Sequence, residues 1–189
     1  MQKQLILGII GCKQSEKDAV SNYLQSDYNF TKLAFATSLK NICKEIFDLT
    51  DDQLNGKNKD IVDSYWNIEP RKILQYVGTE LFREKLGELI PQIGKNIWIK
   101  KIQKTIESCP SICFVITDVR FQNEIDMIHA INGKIIYVIK PLYDNTILSQ
   151  HILESGIDNL KNIDFIVYND SSLSQLFIKI DKIVMNLID

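Results

Sequence analysis

The chain has 189 residues, of which 45% are hydrophobic and 24% charged, with a net charge of −2 at pH 7. That size suits one compact α/β domain over residues 1–189, and that composition excludes the disordered and fibrous classes. The acidic balance argues against a nucleic-acid groove, which needs a basic face.

Cys12, Cys43, Cys109 and Cys113 contain no C-x-x-C pair, and His129 and His151 are the two histidines, so a zinc site is not expected. The apolar run Leu5 to Ile10 is far too short for a membrane span or a signal sequence. A soluble cytoplasmic protein with reduced thiols is the expectation.

In chain order, Leu5 to Ile10 reads as a buried central strand ending at Gly11, followed by a helix from about Lys17. A short strand is expected over Lys32 to Ala36. A helix follows over Ser38 to Phe47, with Leu39, Ile42, Cys43 and Ile46 on one face. Asp51 to Asn67 is polar and reads as a short helix plus loop. Pro70 suits a first helical turn, and a helix runs from it toward Leu86.

Further helices are predicted over Asn96 to Glu107, Asn123 to Ile131 and Ser172 to Leu187, with strands over Cys113 to Thr117, Lys134 to Ile139 and Asp164 to Tyr168. Pro141 to Asp158 is polar with little periodicity. Alternating strands and helices point to a parallel sheet, here of five strands, covered on both faces by helices in three layers.

Gly11-Cys12-Lys13-Gln14-Ser15-Glu16-Lys17-Asp18 lies between the first strand and its helix. The phosphate-loop pattern G-x-x-x-x-G-K-[ST] occupies this same setting, where backbone N–H groups and a helix N-terminus ring the phosphates. Gly11 and Lys17 keep the spacing, but Glu16 replaces the second glycine and Asp18 the hydroxyl residue. A left-handed backbone at Glu16 would cost about 1–2 kcal/mol.

Arginine is scarce: Arg71, Arg83 and Arg120 stand among 22 basic residues, so the other 19 (22 − 3) are lysine. A planar bidentate donor is the reason to keep arginine where lysine is otherwise used.

Several segments resemble the deoxynucleoside monophosphate kinases of phages and large DNA viruses. Ser15-Glu16-Lys17-Asp18-Ala19 is similar to that family's S-G-K-D-T, with Glu16 and Ala19 as departures. Phe35-Ala36-Thr37-Ser38-Leu39-Lys40 resembles F-A-x-P-L-K. The run from Pro70 to Arg83 resembles P-R-x-x-L-Q-x-x-G-T-E-x-x-R, and Thr117 to Glu124 contains the D-V-R-F-x-N-E signature. Trp98 follows Asn96 where the family has D-x-W. His151 and Glu154 are similar to H-x-S-E, with Leu153 in place of serine. All three arginines fall inside these motifs.

The resemblance implies a P-loop kinase-like fold, ATP as phosphoryl donor, magnesium, and a deoxynucleoside monophosphate (dNMP) acceptor. Residues 38–108 would form a helical acceptor-binding region and 141–158 a lid. The ATP side comprises Gly11, Lys13, Gln14, Ser15, Glu16, Lys17, Asp18 and Ala19, with Asn169 toward adenine. Lys17, Arg83, Asp118 and Arg120 form the catalytic set, Asp118 holding magnesium through water or orienting the acceptor phosphate; a plain helix cap is the structural alternative.

Phe35, Ala36, Lys40, Arg71, Gln75, Thr79, Glu80, Arg83, Trp98, Arg120 and Asn123 form the acceptor side. Gln75 would read a base edge and Trp98 would stack on or wall off the base, a core position for Trp98 being at least equally consistent. Arg71 and Arg83 are 12 residues apart, so a continuous α-helix turns them about 120° from each other, and a break near Gly78 is expected.

Lys140, His151 and Glu154 belong to the lid, His151 as a packing residue. Phage relatives imply a homodimer, and a viral source would place it in host cytoplasm. Two alternatives stay open: a degenerate homologue that binds nucleotide or a partner without efficient transfer, and a P-loop kinase for another small acceptor.

Overall fold

The computed structural model describes residues 4–12, 14–141 and 159–188. Two compact units form, one from the chain's beginning to Ala34 together with Gln103 onward, the other from Phe35 to Ile102.

The first unit holds a five-stranded sheet in the order β2-β3-β1-β4-β5, built from β1 (Ile6–Ile10), β2 (Thr31–Leu33), β3 (Phe114–Ile116), β4 (Lys134–Ile139) and β5 (Phe165–Tyr168). Every pairing is parallel. Its helices are α1 (Lys17–Tyr28), α7 (Gln122–Ala130) and α8 (Leu173–Ile188). β1 is apolar at every position because it lies mid-sheet, and all five of its residues are buried. Leu7, Ile9, Val20, Leu24, Val138 and Ile180 pack into one core between sheet and helices.

The second unit is helical. It contains α2 (Ala36–Phe47), α3 (Asp51–Asn55), a 3-10 turn (Lys57–Asp60), α4 (Pro70–Gln75), a π-helical stretch (Tyr76–Lys85) and α5 (Leu86–Leu89). A further helix, α6 (Ile97–Glu107), begins in it. Thr50 caps α3 reciprocally with Gln53, their Oγ1 and amide oxygen each accepting the other residue's backbone N–H. Pro70 opens α4 as expected. Cys43, Leu49, Leu54, Ile73, Leu74 and Val77 form this unit's core.

Two expectations are corrected. The second strand stops at Leu33 rather than Ala36, because Phe35 has already turned to φ −57, ψ −36 and starts α2. The helix after Pro70 does not break at Gly78. It changes winding at Tyr76, and i→i+5 bonding advances each residue by less than the roughly 100° of an α-helix, turning Arg83 back toward the face of Arg71.

Gly78 has a different use: a Cβ there would lie 2.7 Å from the Leu39 side chain, so the glycine lets α2 approach. Among the described residues no helix is long and apolar enough to cross a membrane.

Candidate functional site

The carboxyl ends of the parallel strands in the first unit gather the loop residues, Asp118, Arg120 and Asn169 along one edge. Ligands of open α/β sheets bind at such an edge. β1 pairs with β3 through Gly8 and Ile116, so Ile10 at the end of β1 and Asp118, two residues past the end of β3, both lie two residues beyond that pair. Asn169 follows the last residue of β5 and extends the ladder, its N–H donating to the Ile139 carbonyl at 2.7 Å.

The loop itself is tightly wound. Ser15 N–H donates to the Cys12 carbonyl at 3.2 Å, and both Gln14 (φ 66) and Glu16 (φ 70) adopt left-handed backbone. Residues without glycine's freedom pay about 1–3 kcal/mol for such conformations, which persist where function requires them. Glu16 therefore does take the glycine conformation of the motif. Its carbonyl receives the first helical hydrogen bond, from Val20 N–H at 3.0 Å, and it remains only half-buried.

Gly11 is required by space: a Cβ would collide with Ser15 Oγ and come within 3.1 Å of the Val138 carbonyl. Ser15 is 2% exposed, and its Oγ is buried with no hydrogen-bond partner among the described residues. Such a group costs about 1–3 kcal/mol unless something supplies a partner. It stands at the head of α1, a helix of 12 residues whose first N–H groups are left over by helix geometry. A buried orphan hydroxyl beside those donors fits an anion with several oxygens.

Lys17 is the first residue of α1, its side chain 23% exposed and 3.7 Å from the Asp18 carboxylate, which is 82% exposed. An ion pair to so exposed a partner is worth little, so Lys17 is easily transferred to another anion. Ala19 carries no hydroxyl to offer a metal. Asn169 is buried, and its Nδ2 donates to the Ser15 carbonyl at 3.4 Å, tying the loop to the end of β5. Lys179 fixes that strand end by donating to the Tyr168 carbonyl and to Asp170 Oδ1, each at 2.7 Å.

Sequence reasoning missed the task of Glu124. It is 1% exposed, and its Oε2 accepts Arg120 N–H at 2.8 Å and Phe121 N–H at 3.2 Å, fixing the backbone that carries Arg120. The signal was present, because a Glu three residues past a helix start is a capping pattern. Asn123 lies half-buried in the first turn of α7.

In the helical unit, Arg71, Gln75 and Thr79 recur every fourth residue and are exposed, with Arg83 half-buried further along. Arg71 makes a two-point pair with Asp60, through Nε to Oδ1 and a terminal nitrogen to Oδ2, the latter at 2.9 Å. Phe35 is buried, while Ala36 and Lys40 lie half-buried on α2.

Trp98 is 5% exposed, donates from its indole to the Gly78 carbonyl at 3.1 Å and packs 5.2 Å from Phe82. It sits in the core of the helical unit, the position the sequence allowed equally. Lys140 follows β4 and is exposed. Lys13, His151, Glu154 and positions 142–158 of the expected lid lie outside the described residues.

Sheet order, edge site and strained loop together define a P-loop kinase-like fold. Solved structures of that class align over the whole chain. A dephospho-CoA kinase from Campylobacter jejuni superposes with a TM-score of 0.52 at 15% identity, covering 98% of each chain. Protein TT1252 from Thermus thermophilus gives 0.52 at 15%, covering 99% of this chain and 100% of that one.

The chain belongs to the deoxynucleotide monophosphate kinase family, whose family model matches residues 48–180. It is 34% identical to a protein of Acanthamoeba polyphaga mimivirus that carries the provisional name deoxynucleotide monophosphate kinase, over 96% of this chain and 97% of the other. It is 33% identical to the deoxynucleoside-5'-monophosphate kinase of Escherichia phage T5, over 64% of this chain and 53% of that one. The family match begins beyond the phosphate loop, the part of the sequence that departs from the motif.

Proposed function

We propose that the protein transfers the γ-phosphoryl group of ATP to the phosphate of a deoxynucleoside monophosphate, yielding ADP and a deoxynucleoside diphosphate. The observation that carries this reading is the buried Ser15 Oγ, without a hydrogen-bond partner among the described residues, inside a strained loop at the head of α1. The triphosphate would satisfy that hydroxyl together with the first N–H groups of the helix.

Phosphoryl transfer needs positioning and charge neutralisation more than covalent chemistry. Lys17 would leave the exposed Asp18 carboxylate for the β- and γ-phosphates. Arg120 and Arg83 would hold the transferring and acceptor phosphates by two-point contacts, with Arg71 exchanging Asp60 for phosphate.

The donor set fits magnesium, which uses one or two carboxylates and completes its shell with water and phosphate oxygens. Asp118 would supply that carboxylate, and the ion would neutralise charge on the phosphates. Ala19 has no side-chain oxygen to offer the ion, which would therefore be held through Asp118 and water. Two chains per molecule and action in host cytoplasm without nucleic acid belong to the same reading, the first checked by light scattering.

The test is ADP release coupled to each of the four dNMPs with magnesium. Turnover is expected with at least one, and Lys17→Ala should reduce it roughly 10²–10³-fold, as loss of a transition-state donor does. An unchanged rate in Lys17→Ala removes the assignment.

A further inference from the structure

Asn169 is buried, and the phosphate loop carries Glu16 where its motif asks for glycine. The two facts meet at a single peptide bond, the one between Ser15 and Glu16. Asn169 Nδ2 donates to the carbonyl of this peptide at 3.4 Å. The peptide is trans and planar, so its N–H points opposite to its carbonyl. The Glu16 N–H is therefore aimed away from Asn169, at the start of α1, where Glu16 is the N-cap residue.

A peptide reverses direction by counter-rotating the two soft dihedrals that flank it, here ψ of Ser15 and φ of Glu16. Reversal would carry Glu16 from φ 70 into the negative range that a residue with a Cβ prefers. The same movement would swap the Glu16 N–H for a carbonyl oxygen, which repels an anion. Glycine at this position would accept either direction. With Glu16 the backbone is biased toward the reversed one, and a partner has to oppose that bias.

The partner is built at the end of β5. The Asn169 N–H donates to the Ile139 carbonyl at 2.7 Å. Lys179 fastens the residues on either side, donating to the Tyr168 carbonyl and to Asp170 Oδ1, each at 2.7 Å. Helical side chains lean toward the helix N-terminus, so Lys179 of α8 reaches back over the chain entering that helix. Asn169 thus has a fixed backbone from which to direct its amide.

We propose that Asn169 is a positioning residue that compensates for the missing glycine: it holds the Ser15–Glu16 peptide with its N–H toward the phosphates of ATP, and Lys179 holds Asn169. This rests on the reading that the loop binds ATP, and it gives Asn169 a task other than contact with adenine.

The experiment is calorimetric titration of the full chain with ATP and magnesium, without acceptor. Asn169→Ala and Lys179→Met are each measured alone and combined with Glu16→Gly, with folding checked by circular dichroism. Asn169→Ala should bind ATP about tenfold more weakly and Lys179→Met about threefold, the range of a lost hydrogen bond. In the Glu16→Gly background both losses should shrink below about twofold, because glycine adopts the left-handed backbone without a brace. A residue that only stabilises the fold would lose the same factor in both backgrounds.

The proposal is overturned if Asn169→Ala binds ATP as the unaltered protein does, or if its loss persists undiminished beside Glu16→Gly. It is equally overturned if the unaltered protein binds no ATP. Should Asn169→Ala fail to fold, Lys179→Met decides by the same criteria, since that side chain is 38% exposed and its loss leaves the core intact. A protein that phosphorylates dNMPs yet fails these tests keeps the phosphoryl-transfer reading and loses the brace. One that shows this coupling in ATP binding but releases no ADP keeps the brace and loses that reading.

Discussion

The two ends of the sheet in the first unit treat their polar groups in opposite ways. At the amino end, Asp164 precedes β5 and both oxygens of its carboxylate are hydrogen-bonded. Its carboxylate accepts from Lys134 Nζ at 2.8 Å and from Ile135 N–H at 2.8 Å, and lies 2.7 Å from His129 Nε2. Burial pushes the Asp164 carboxyl up, but the Lys134, His129 and Ile135 hydrogen bonds outweigh it and hold the group below its ordinary value of 3.8.

At the carboxyl end, Ser15 Oγ has no hydrogen-bond partner among the described residues, and Gln14 and Glu16 sit in costly backbone. One end has its polar groups paired within the protein, while the other keeps a buried hydroxyl without a partner among the described residues. The difference teaches where to look for function: polar groups left incomplete by folding mark a site, and completed ones mark a joint.

Three substitutions sharpen this contrast. The largest effect is expected from Arg120→Lys, which keeps the charge but removes the planar two-point donor. Turnover with the preferred dNMP should fall at least about tenfold with thermal stability unchanged, since a charged hydrogen bond is worth roughly 1.5–3 kcal/mol. Equal rates would show that Arg120 does not grip phosphate.

Asp164→Asn comes next and should act on the fold alone. Losing the charged partner of Lys134 should cost about 2 kcal/mol and lower Tm by about 4–8 °C, with kcat unmoved. The sign with pH follows from the depressed carboxyl: its stabilisation is present above the ordinary carboxylate range and is lost as pH falls through the lower folded value. Denaturant melts should therefore show the variant and the unaltered protein converging below about pH 4. A constant gap down to pH 2 would contradict the assignment.

Glu16→Gly is the smallest and is the one that ought to improve the protein. Removing a side chain from left-handed backbone should stabilise by up to about 1 kcal/mol and should not lower the rate. A loss of ATP binding would show that the Glu16 side chain, and not merely its backbone, belongs to the site.

Much of the fold was readable beforehand because its signals are local. The buried strand β4 falls on Lys134–Ile139 as its apolar run dictates, and Pro70 opens α4 because its ring suits a first helical turn. Of the site, the Gly11-to-Lys17 spacing and the three arginines stood out in one dimension. The placement of Trp98 did not, because an aromatic beside a motif looks the same whether it faces a ligand or a core.

The sequence by itself determined the alternation of strand and helix, the loop's position after β1 and the family motifs, all set by spacing along the chain. Only the tertiary structure decided that Glu16 adopts the glycine conformation, that the helix past Gly78 rewinds rather than breaks, and that Asn169 and Glu124 brace the loop and the Arg120 backbone. Those outcomes depend on partners distant in sequence, such as Asn169 and Ser15, 154 residues apart, or on packing such as Leu39 against Gly78. Their free energies exist only once the chain has folded.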